Sequence, residues 1–219
     1  MNRRNDPLAS RRALLRLAAL GLPVALLAGC GDLIPGQGEP PNLYRLTPKS
    51  TFPADLPAVD WQLVLAQPDA DAALDTTRIA LIRETTRIEY YAKSGWTDRA
   101  PSMVHTLMLE SFENSKKIVS VGRRAIGLRA DFELRTELRE FQAEYTAGTI
   151  QVHVALNAKL VFAAERTIVG QQNFAMKIPV AVDDVAQGGQ GFDDALGAVL
   201  KPLVDWTLRT GAATYRKPA

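Results

Sequence analysis

The sequence TIQVHVALNAKLVF, residues 149–162, decides the fold. From Ile150 to Phe162 every second residue is apolar, and most of the residues between them are polar. A period of two over such a length is typical of a β-strand with one face in a core and the other in water. The pattern therefore predicts a long strand of a sheet with one face buried and the other in water.

The stretches on either side show the same alternation. Residues 132–139 alternate Phe and Leu with Glu and Arg, and residues 168–178 continue the pattern with a polar interruption. The connections, residues 145–148 and 163–166, are short enough for hairpins. We expect three long antiparallel strands in chain order.

The remaining periodicity predicts shorter strands and two helices. Residues 78–83 and 87–92 should form a hairpin, and residues 61–66 and 117–121 should form single strands. One helix has Pro101 in its first turn. Gly188-Gly189-Gln190-Gly191 should be a hinge before the second helix, and Pro202 should kink that helix. The predicted fold class is α+β, a mostly antiparallel sheet with two helices packed on one face. The first helix should bury a stripe formed by Val104, Leu107, Met108, Ser111 and Phe112. The second should bury a stripe formed by Leu196, Val199, Leu200, Leu203 and Trp206.

The N-terminal region has the pattern of an export signal. Five arginines precede a short apolar run that ends in Leu27-Ala28-Gly29-Cys30, and the run is too short to span a bilayer as a helix. Cys30 is the only cysteine, so an internal disulfide is excluded. The four residues resemble the bacterial lipobox, in which the peptide is cut before the cysteine and its thiol is acylated, with palmitate for example. We expect Cys30 to be lipidated.

These features divide the chain into four parts. Residues 1–29 are a lipoprotein signal peptide, 30–58 an acylated Cys and a Pro/Gly-rich tether, 59–212 a single α+β domain, and 213–219 a C-terminal tail. The net charge of +2 is a property of the precursor. Five of 26 Lys and Arg but only one of 24 Asp and Glu precede Cys30, so the chain from Cys30 onward carries −2. Nucleic-acid binding, which needs a basic face, loses its support.

The sequence around the signal peptide leaves two export routes open and predicts the destination membrane. Arg11-Arg12 resembles a twin-arginine signal, although a Sec signal with adjacent arginines fits as well. Under the enteric sorting rule an Asp directly after the lipidated Cys retains a lipoprotein at the inner membrane. Here Gly31 holds that position and Asp32 follows. We expect anchoring in the outer membrane, on its periplasmic side.

The sequence shows no constellation for catalysis or metal binding. His105 and His153 have no Cys, His or carboxylate at metal-ligand spacing. Ser102 and Ser111 lack the Gly-x-Ser-x-Gly context of a nucleophile. We expect neither enzyme activity nor any cofactor besides the lipid on Cys30.

A protein-contact surface is the alternative to a pocket. Tyr91 and Trp96 lie near the hairpin end and the helix entrance, and aromatic residues are frequent interface anchors. Tyr90 shares a face with Ile88 and is as well explained by packing. Tyr91 and Trp96 are therefore the predicted interface residues.

An ordered set of motifs resembles a known family. Cys30 of the lipobox is followed by Tyr44-Arg45-Leu46, then by the hairpin with Ile88-Glu89-Tyr90-Tyr91 and by Trp96. Residues 134–141 match an L-x-x-L-x-x-F strand in outline, and the last helix carries Trp206. The set resembles the ABC-type transport auxiliary lipoproteins, partners of MCE-type (mammalian-cell-entry) lipid transport systems, including the Pqi type. Pro202 departs from the unbroken last helix of the family.

The resemblance implies a function. It implies a non-catalytic lipoprotein that docks on an MCE protein, beside ABC transporter components, and assists phospholipid passage between the inner and outer membranes. Oligomeric rings are known in the Pqi branch, so a homo-oligomer is one of the states to test. Two other classes stay open: an envelope-assembly or small-ligand-binding lipoprotein, and a periplasmic hydrolase.

Overall fold

Three long strands form the centre of the fold. The computed structural model describes residues 40–84, 86–124, 130–146, 148–180 and 185–216, with the backbone alone for residues 185–188. In these ranges the strands are β1 (Asn42–Tyr44), β2 (Val59–Leu65), β3 (Asp69–Ala70), β4 (Arg78–Glu84), β5 (Arg87–Trp96), β6 (Ile118–Arg123), β7 (Phe132–Thr146), β8 (Thr149–Phe162) and β9 (Thr167–Val180). The helices are α1 (Ala100–Ser115) and α2 (Val185–Thr214). Strands β7, β8 and β9 pair antiparallel in chain order, which confirms the prediction.

The other edge of β7 is shared by short strands. β2, β3 and β4 pair with successive parts of β7 in parallel, β6 continues the sheet beyond β2, and β5 and β1 continue it beyond β4. β4 and β5 form the predicted antiparallel hairpin. The result is an open sheet in which the antiparallel pairs contain most of the paired residues.

The core lies between one sheet face and the two helices. All five residues of the stripe predicted on α1 are buried, and so are four of the five on α2. The fifth, Trp206, is half-buried and packs edge-on against Phe174 of β9. The apolar residues of β7 and β8 face these helices, so two helices on one face of the sheet are confirmed.

The folded unit is longer than predicted at both ends. Asn42–Tyr44 pair with Ser94–Trp96 of β5, and Leu46 and Leu56 are each 3% exposed. The tether prediction is therefore wrong for the second half of residues 30–58, because backbone pairing and apolar burial hold this part against the domain. At the other end α2 continues to Thr214, so residues 213–214 are helical rather than a tail.

The glycine-rich segment is not a hinge loop, because α2 already begins at Val185. The helix lies close to the sheet at this point. A Cβ at Gly191 would lie 3.0 Å from Val180 Cγ1 and 3.1 Å from Val152 Cγ2. Glycine here permits close packing at a cost in helix propensity of about 1 kcal/mol. The helix also continues past Pro202.

Candidate functional site

The sheet face opposite the helices carries the polar side chains of β7, β8 and β9. We call it the polar face. It results from strand alternation, since residues that follow one another along a strand point to opposite sides of the sheet. The two ends of the polar face differ in chemistry.

One end carries a cluster of hydrogen-bonded side chains centred on Glu144 of β7. His153 Nδ1 lies 2.7 Å from Glu144 Oε1, and Lys177 Nζ lies 2.7 Å from Oε2. Gln151 Nε2 donates to Oε2 at 3.0 Å. We call these residues, with Glu140 and Gln142, the Glu144 cluster. Three neighbouring strands thus direct their donors at one carboxylate.

The cluster shifts the ionisation of its central carboxylate. Burial on its own would raise the pKa of Glu144, but hydrogen bonds from Lys177 and His153, together with their charges, hold the pKa below its ordinary value. Glu144 is therefore a carboxylate at neutral pH. Its negative charge is paired with the Lys177 ammonium group.

Three side chains of the cluster could hold a metal ion. The ligand atoms of Glu140, Glu144 and His153 all lie within 4.8 Å of one another. However, Lys177 and Gln142 already donate to the same carboxylate oxygens. The Lys177 ammonium group already supplies a positive charge beside this carboxylate, so the residues fit a satisfied hydrogen-bond network better than a cation site.

The other end of the polar face is an open groove of about 970 Å³. We call it the charged groove. Its lining comes from β3, β7, β8, β9 and the residues that flank β6 and the β8–β9 turn. The lining residues are Asp69, Arg124, Glu133, Arg135, Thr136, Glu137, Asn157, Lys159, Val161, Ala163, Arg166 and Ile168.

Cations and carboxylates are unevenly paired in this groove. Glu133 accepts from Arg124 at 3.1 Å and from Arg135 at 3.2 Å, so one carboxylate serves two guanidinium groups. Arg135 also lies directly opposite Lys159 across the β7–β8 pair. Two cations face each other where a sheet ordinarily favours opposite charges.

The predicted interface residues have different environments. Trp96 is 1% exposed and packs against Phe141 and Phe192, so its prediction as a surface residue is wrong. The rings that bury it come from distant parts of the chain. Tyr91 is half-buried, and its hydroxyl oxygen lies 3.3 Å from the hydroxyl oxygen of Tyr145. Its role as an interface residue stays a prediction. Cys30 and the signal peptide, residues 1–29, lie outside the described residues.

The two histidines are also in different environments. His105 is buried, with Nε2 3.1 Å from the Leu65 carbonyl oxygen. Burial lowers its pKa, the hydrogen bond to Leu65 opposes this and the charge of Arg123 adds to it. His105 is thus a neutral core residue at neutral pH. The partnership of His153 with Glu144 was not predicted from the sequence, because nine residues and a turn separate the two residues along the chain.

Ser111, considered above as a nucleophile, has a structural role. Its hydroxyl donates to the Leu107 carbonyl oxygen at 2.6 Å, within the same helix.

Among the residues that the structure describes, neither helix has the length and apolar character needed to cross a membrane.

Comparison with known proteins gives the family. Residues 44–203 match the family model of the ABC-type transport auxiliary lipoprotein component. A crystal structure from Xanthomonas campestris, of a protein assigned to the DUF330 family, superposes with a TM-score of 0.75 at 31% identity, over 78% of this chain and 97% of that one. A second solved structure, of an uncharacterized protein, shares the fold with a TM-score of 0.61 at 11% identity, over 76% of this chain and 97% of that one.

A curated relative from Bradyrhizobium diazoefficiens, itself described as uncharacterized, is 27% identical over 188 residues. The match covers 84% of this chain and 49% of the relative, so the chain spans about half the length of that protein. The family model covers most of the chain, including all three long strands and most of α2. The chain belongs to the family of ABC-type transport auxiliary lipoprotein components.

Proposed function

We propose that this protein is a non-catalytic component of an MCE-type ABC transport system. In this role it docks on an MCE protein and assists the passage of phospholipid between the inner and outer membranes. The observation that carries the proposal is the family match over residues 44–203, which extends across most of the folded unit. Lipoproteins of this family are membrane-anchored proteins of the cell envelope.

The region around Tyr91 supports docking as the mode of action. Tyr91 and Tyr145 lie side by side, and the guanidinium carbon of Arg83 lies 4.1 Å from the centre of the Tyr145 ring. Half-buried tyrosines with an arginine are the residue types that most often dominate protein–protein binding.

Co-purification tests the docking. The tagged full chain, extracted from membranes of its native host, should retain the MCE-domain protein of that host. Tyr91→Ala should lose this partner, since truncating an interface anchor typically costs about 2 kcal/mol or more of binding. The melting temperature should change little, because Tyr91 lies at the margin of the core.

Val119→Ala is the matched control. Val119 lies on the distant strand β6 and is 69% exposed, so this change also removes exposed apolar surface. The control should retain the partner. Equal retention by Tyr91→Ala and Val119→Ala would remove Tyr91 from the interface. Loss of every MCE partner from the wild type would favour an envelope-assembly or ligand-binding lipoprotein instead.

Anchoring is the second part of the proposal. We propose that Cys30 is acylated and that Gly31 directs the protein to the outer membrane. Metabolic labelling with a fatty-acid analogue should mark the wild type and leave Cys30→Ser unmarked. Fractionation of host membranes should recover the wild type with the outer membrane. Equal labelling of both proteins would contradict acylation at Cys30, and recovery with the inner membrane would contradict the sorting.

A further inference from the structure

The charged groove is organised in three successive rows across the strands. The register of β7 with β3 places Asp69 beside Glu137, which forms an acidic row. Two residues earlier on β7, Arg135 lies opposite Lys159, which forms a basic row. One step further, Val161 lies between Glu133 of β7 and Ile168 of β9. Glu133 is paired with Arg124 and Arg135, and the side chains of Val161 and Ile168 form an apolar row on β8 and β9. Rows two residues apart along a strand are separated by about 7 Å.

The acidic and basic rows each bring like charges together across neighbouring strands, an arrangement that destabilises a sheet. Ion pairs within the chain neutralise only one of the two like charges in each row. Arg135 pairs with Glu133 at 3.2 Å, and Glu137 pairs with Arg139 at 2.9 Å. Lys159 and Asp69 form no ion pair with another residue in the described part of the chain. Each row therefore keeps one charge available to a ligand.

The order of the rows corresponds to the order of groups in one class of lipid. Ile168 is 57% exposed, so the apolar row presents uncovered surface next to the basic row. From the acidic to the apolar row, the groove offers sites for an ammonium, a phosphate and an apolar chain. A volume of about 970 Å³ is at the upper end of that of small-molecule sites.

We propose that the charged groove binds a zwitterionic phospholipid of the phosphoethanolamine type. Arg135 and Lys159 contact the phosphate, Asp69 and Glu137 accept hydrogen bonds from the primary ammonium, and Val161 and Ile168 contact the start of the acyl chains. This assignment rests on the proposed function and names the lipid class that the transport would handle.

The groove chemistry discriminates among common headgroups. A glycerol headgroup carries no positive charge for the acidic row. A choline headgroup has no N–H to donate, and quaternary ammonium groups are characteristically bound by aromatic cages. The described lining of the groove contains no aromatic ring. The ethanolamine lipid should therefore bind best of the three.

Calorimetric titration tests this with the full lipidated chain held in phosphatidylcholine nanodiscs. The probes are water-soluble dibutanoyl phosphatidylethanolamine, phosphatidylglycerol and phosphatidylcholine, with inorganic phosphate as a fourth. We expect the ethanolamine lipid to bind at least about tenfold more tightly than the others, the effect of one charge-assisted hydrogen bond.

Three variants sharpen the test. Lys159→Gln should weaken every phosphate-bearing probe about tenfold, and Asp69→Asn should weaken only the ethanolamine lipid. Lys201→Gln is the matched control, because Lys201 is an exposed lysine on α2, outside the groove. It should leave all affinities unchanged.

The outcomes separate this inference from the proposed function. Equal binding of the three lipids, or an Asp69→Asn protein with unchanged preference, overturns the inference. Absence of lipid binding with intact MCE co-purification overturns the lipid assignment and leaves the docking proposal standing. If the wild type binds no lipid, and Lys159→Gln and Asp69→Asn both lose the MCE partner, the groove is a protein interface. That result would also overturn the lipid inference.

Discussion

The two ends of the polar face are formed by the same alternating strands, but they differ in how their charged side chains are paired. At the Glu144 cluster, donors from β7, β8 and β9 converge on one carboxylate, which is paired with the Lys177 ammonium group. In the charged groove, Lys159 faces Arg135 and Asp69 lies beside Glu137. The cluster is satisfied by the fold alone, whereas the groove keeps charges available to a ligand.

The difference shows that charge composition alone does not identify a binding surface. Both ends contain acidic, basic and amide side chains at alternating positions of the same strands. Cross-strand register decides which of these become partners. We therefore expect changes at the cluster to affect stability, and changes in the groove to affect binding.

Among the single substitutions, removing the central carboxylate should have the largest effect on stability. Glu144→Ala leaves His153, Lys177 and Gln151 without their shared acceptor, at a cost of about 2 kcal/mol. Glu137→Ala is the groove control, since its side chain is 53% exposed and should cost no more than about 0.5 kcal/mol. Urea unfolding measures both. Equal losses would remove the distinction between the two ends.

The contribution of Glu144 should depend on pH with a defined sign. Its pKa in the folded protein is lower than the ordinary value of 4.5. The charged form is thus favoured by folding, and its stabilisation is complete above pH 4.5 and lost as the pH falls through the folded pKa. The stability gap between wild type and Glu144→Gln should close in this acidic range. A gap that is constant through that range would contradict the proposed network.

His105 also makes stability depend on pH, and it does so equally in the wild type and in Glu144→Gln. Its folded pKa lies below the ordinary value of 6.5, so folding favours the neutral ring. The associated stability is complete above pH 6.5 and decreases as the pH falls from there to the folded pKa. His105→Gln should flatten the dependence of stability on pH in that window. Urea unfolding on either side of pH 6.5 provides the measurement.

Metal addition should separate a satisfied cluster from a latent cation site. Zn²⁺ should leave the melting temperature of the wild type unchanged, because Lys177 occupies Glu144 Oε2. Lys177→Met frees that oxygen and leaves Glu140, Glu144 and His153 as ligands. In this variant Zn²⁺ at about 100 times its dissociation constant should add about 2.7 kcal/mol. Clear thermal stabilisation of the wild type would show that the cluster is a metal site.

The smallest predicted effect is a gain in stability. Lys159→Glu replaces a like-charge pair opposite Arg135 with an opposite-charge pair, which should stabilise the sheet by about 0.5 kcal/mol. The same change should abolish the proposed lipid binding. A protein that becomes more stable while losing its ligand is typical of a site maintained for function. Loss of stability would indicate that Lys159 has a structural partner.

Much of the fold was predictable because its strongest signals are local. Alternation in residues 149–162 and the short turns on either side identified the long strands, and helical spacing identified α1. By contrast, β1 and β3 contain three and two residues and exist only through pairing with distant strands. The position of the glycines inside α2 likewise depends on contacts with the sheet, which local propensity does not encode.

The candidate sites were less predictable because they depend on register. The β7–β8 pairing shifts between Leu138 and Glu140, and this irregularity determines that Gln142 lies opposite His153. Simple alternation places Glu and Arg on the polar face but does not specify their partners. Trp96 shows the same limit, since its burial follows from the approach of Phe192, almost one hundred residues later.

Photocrosslinking tests the contrast between the two ends most directly. The lipidated full chain is incorporated in vesicles that contain a photoactivatable phosphatidylethanolamine, and the adducts are mapped on peptides. We predict adducts within residues 157–168, along the charged groove, and none within residues 140–153, which include most of the Glu144 cluster. Adducts concentrated on the cluster, or spread equally over both ends, would contradict the assignment of the groove as the lipid site.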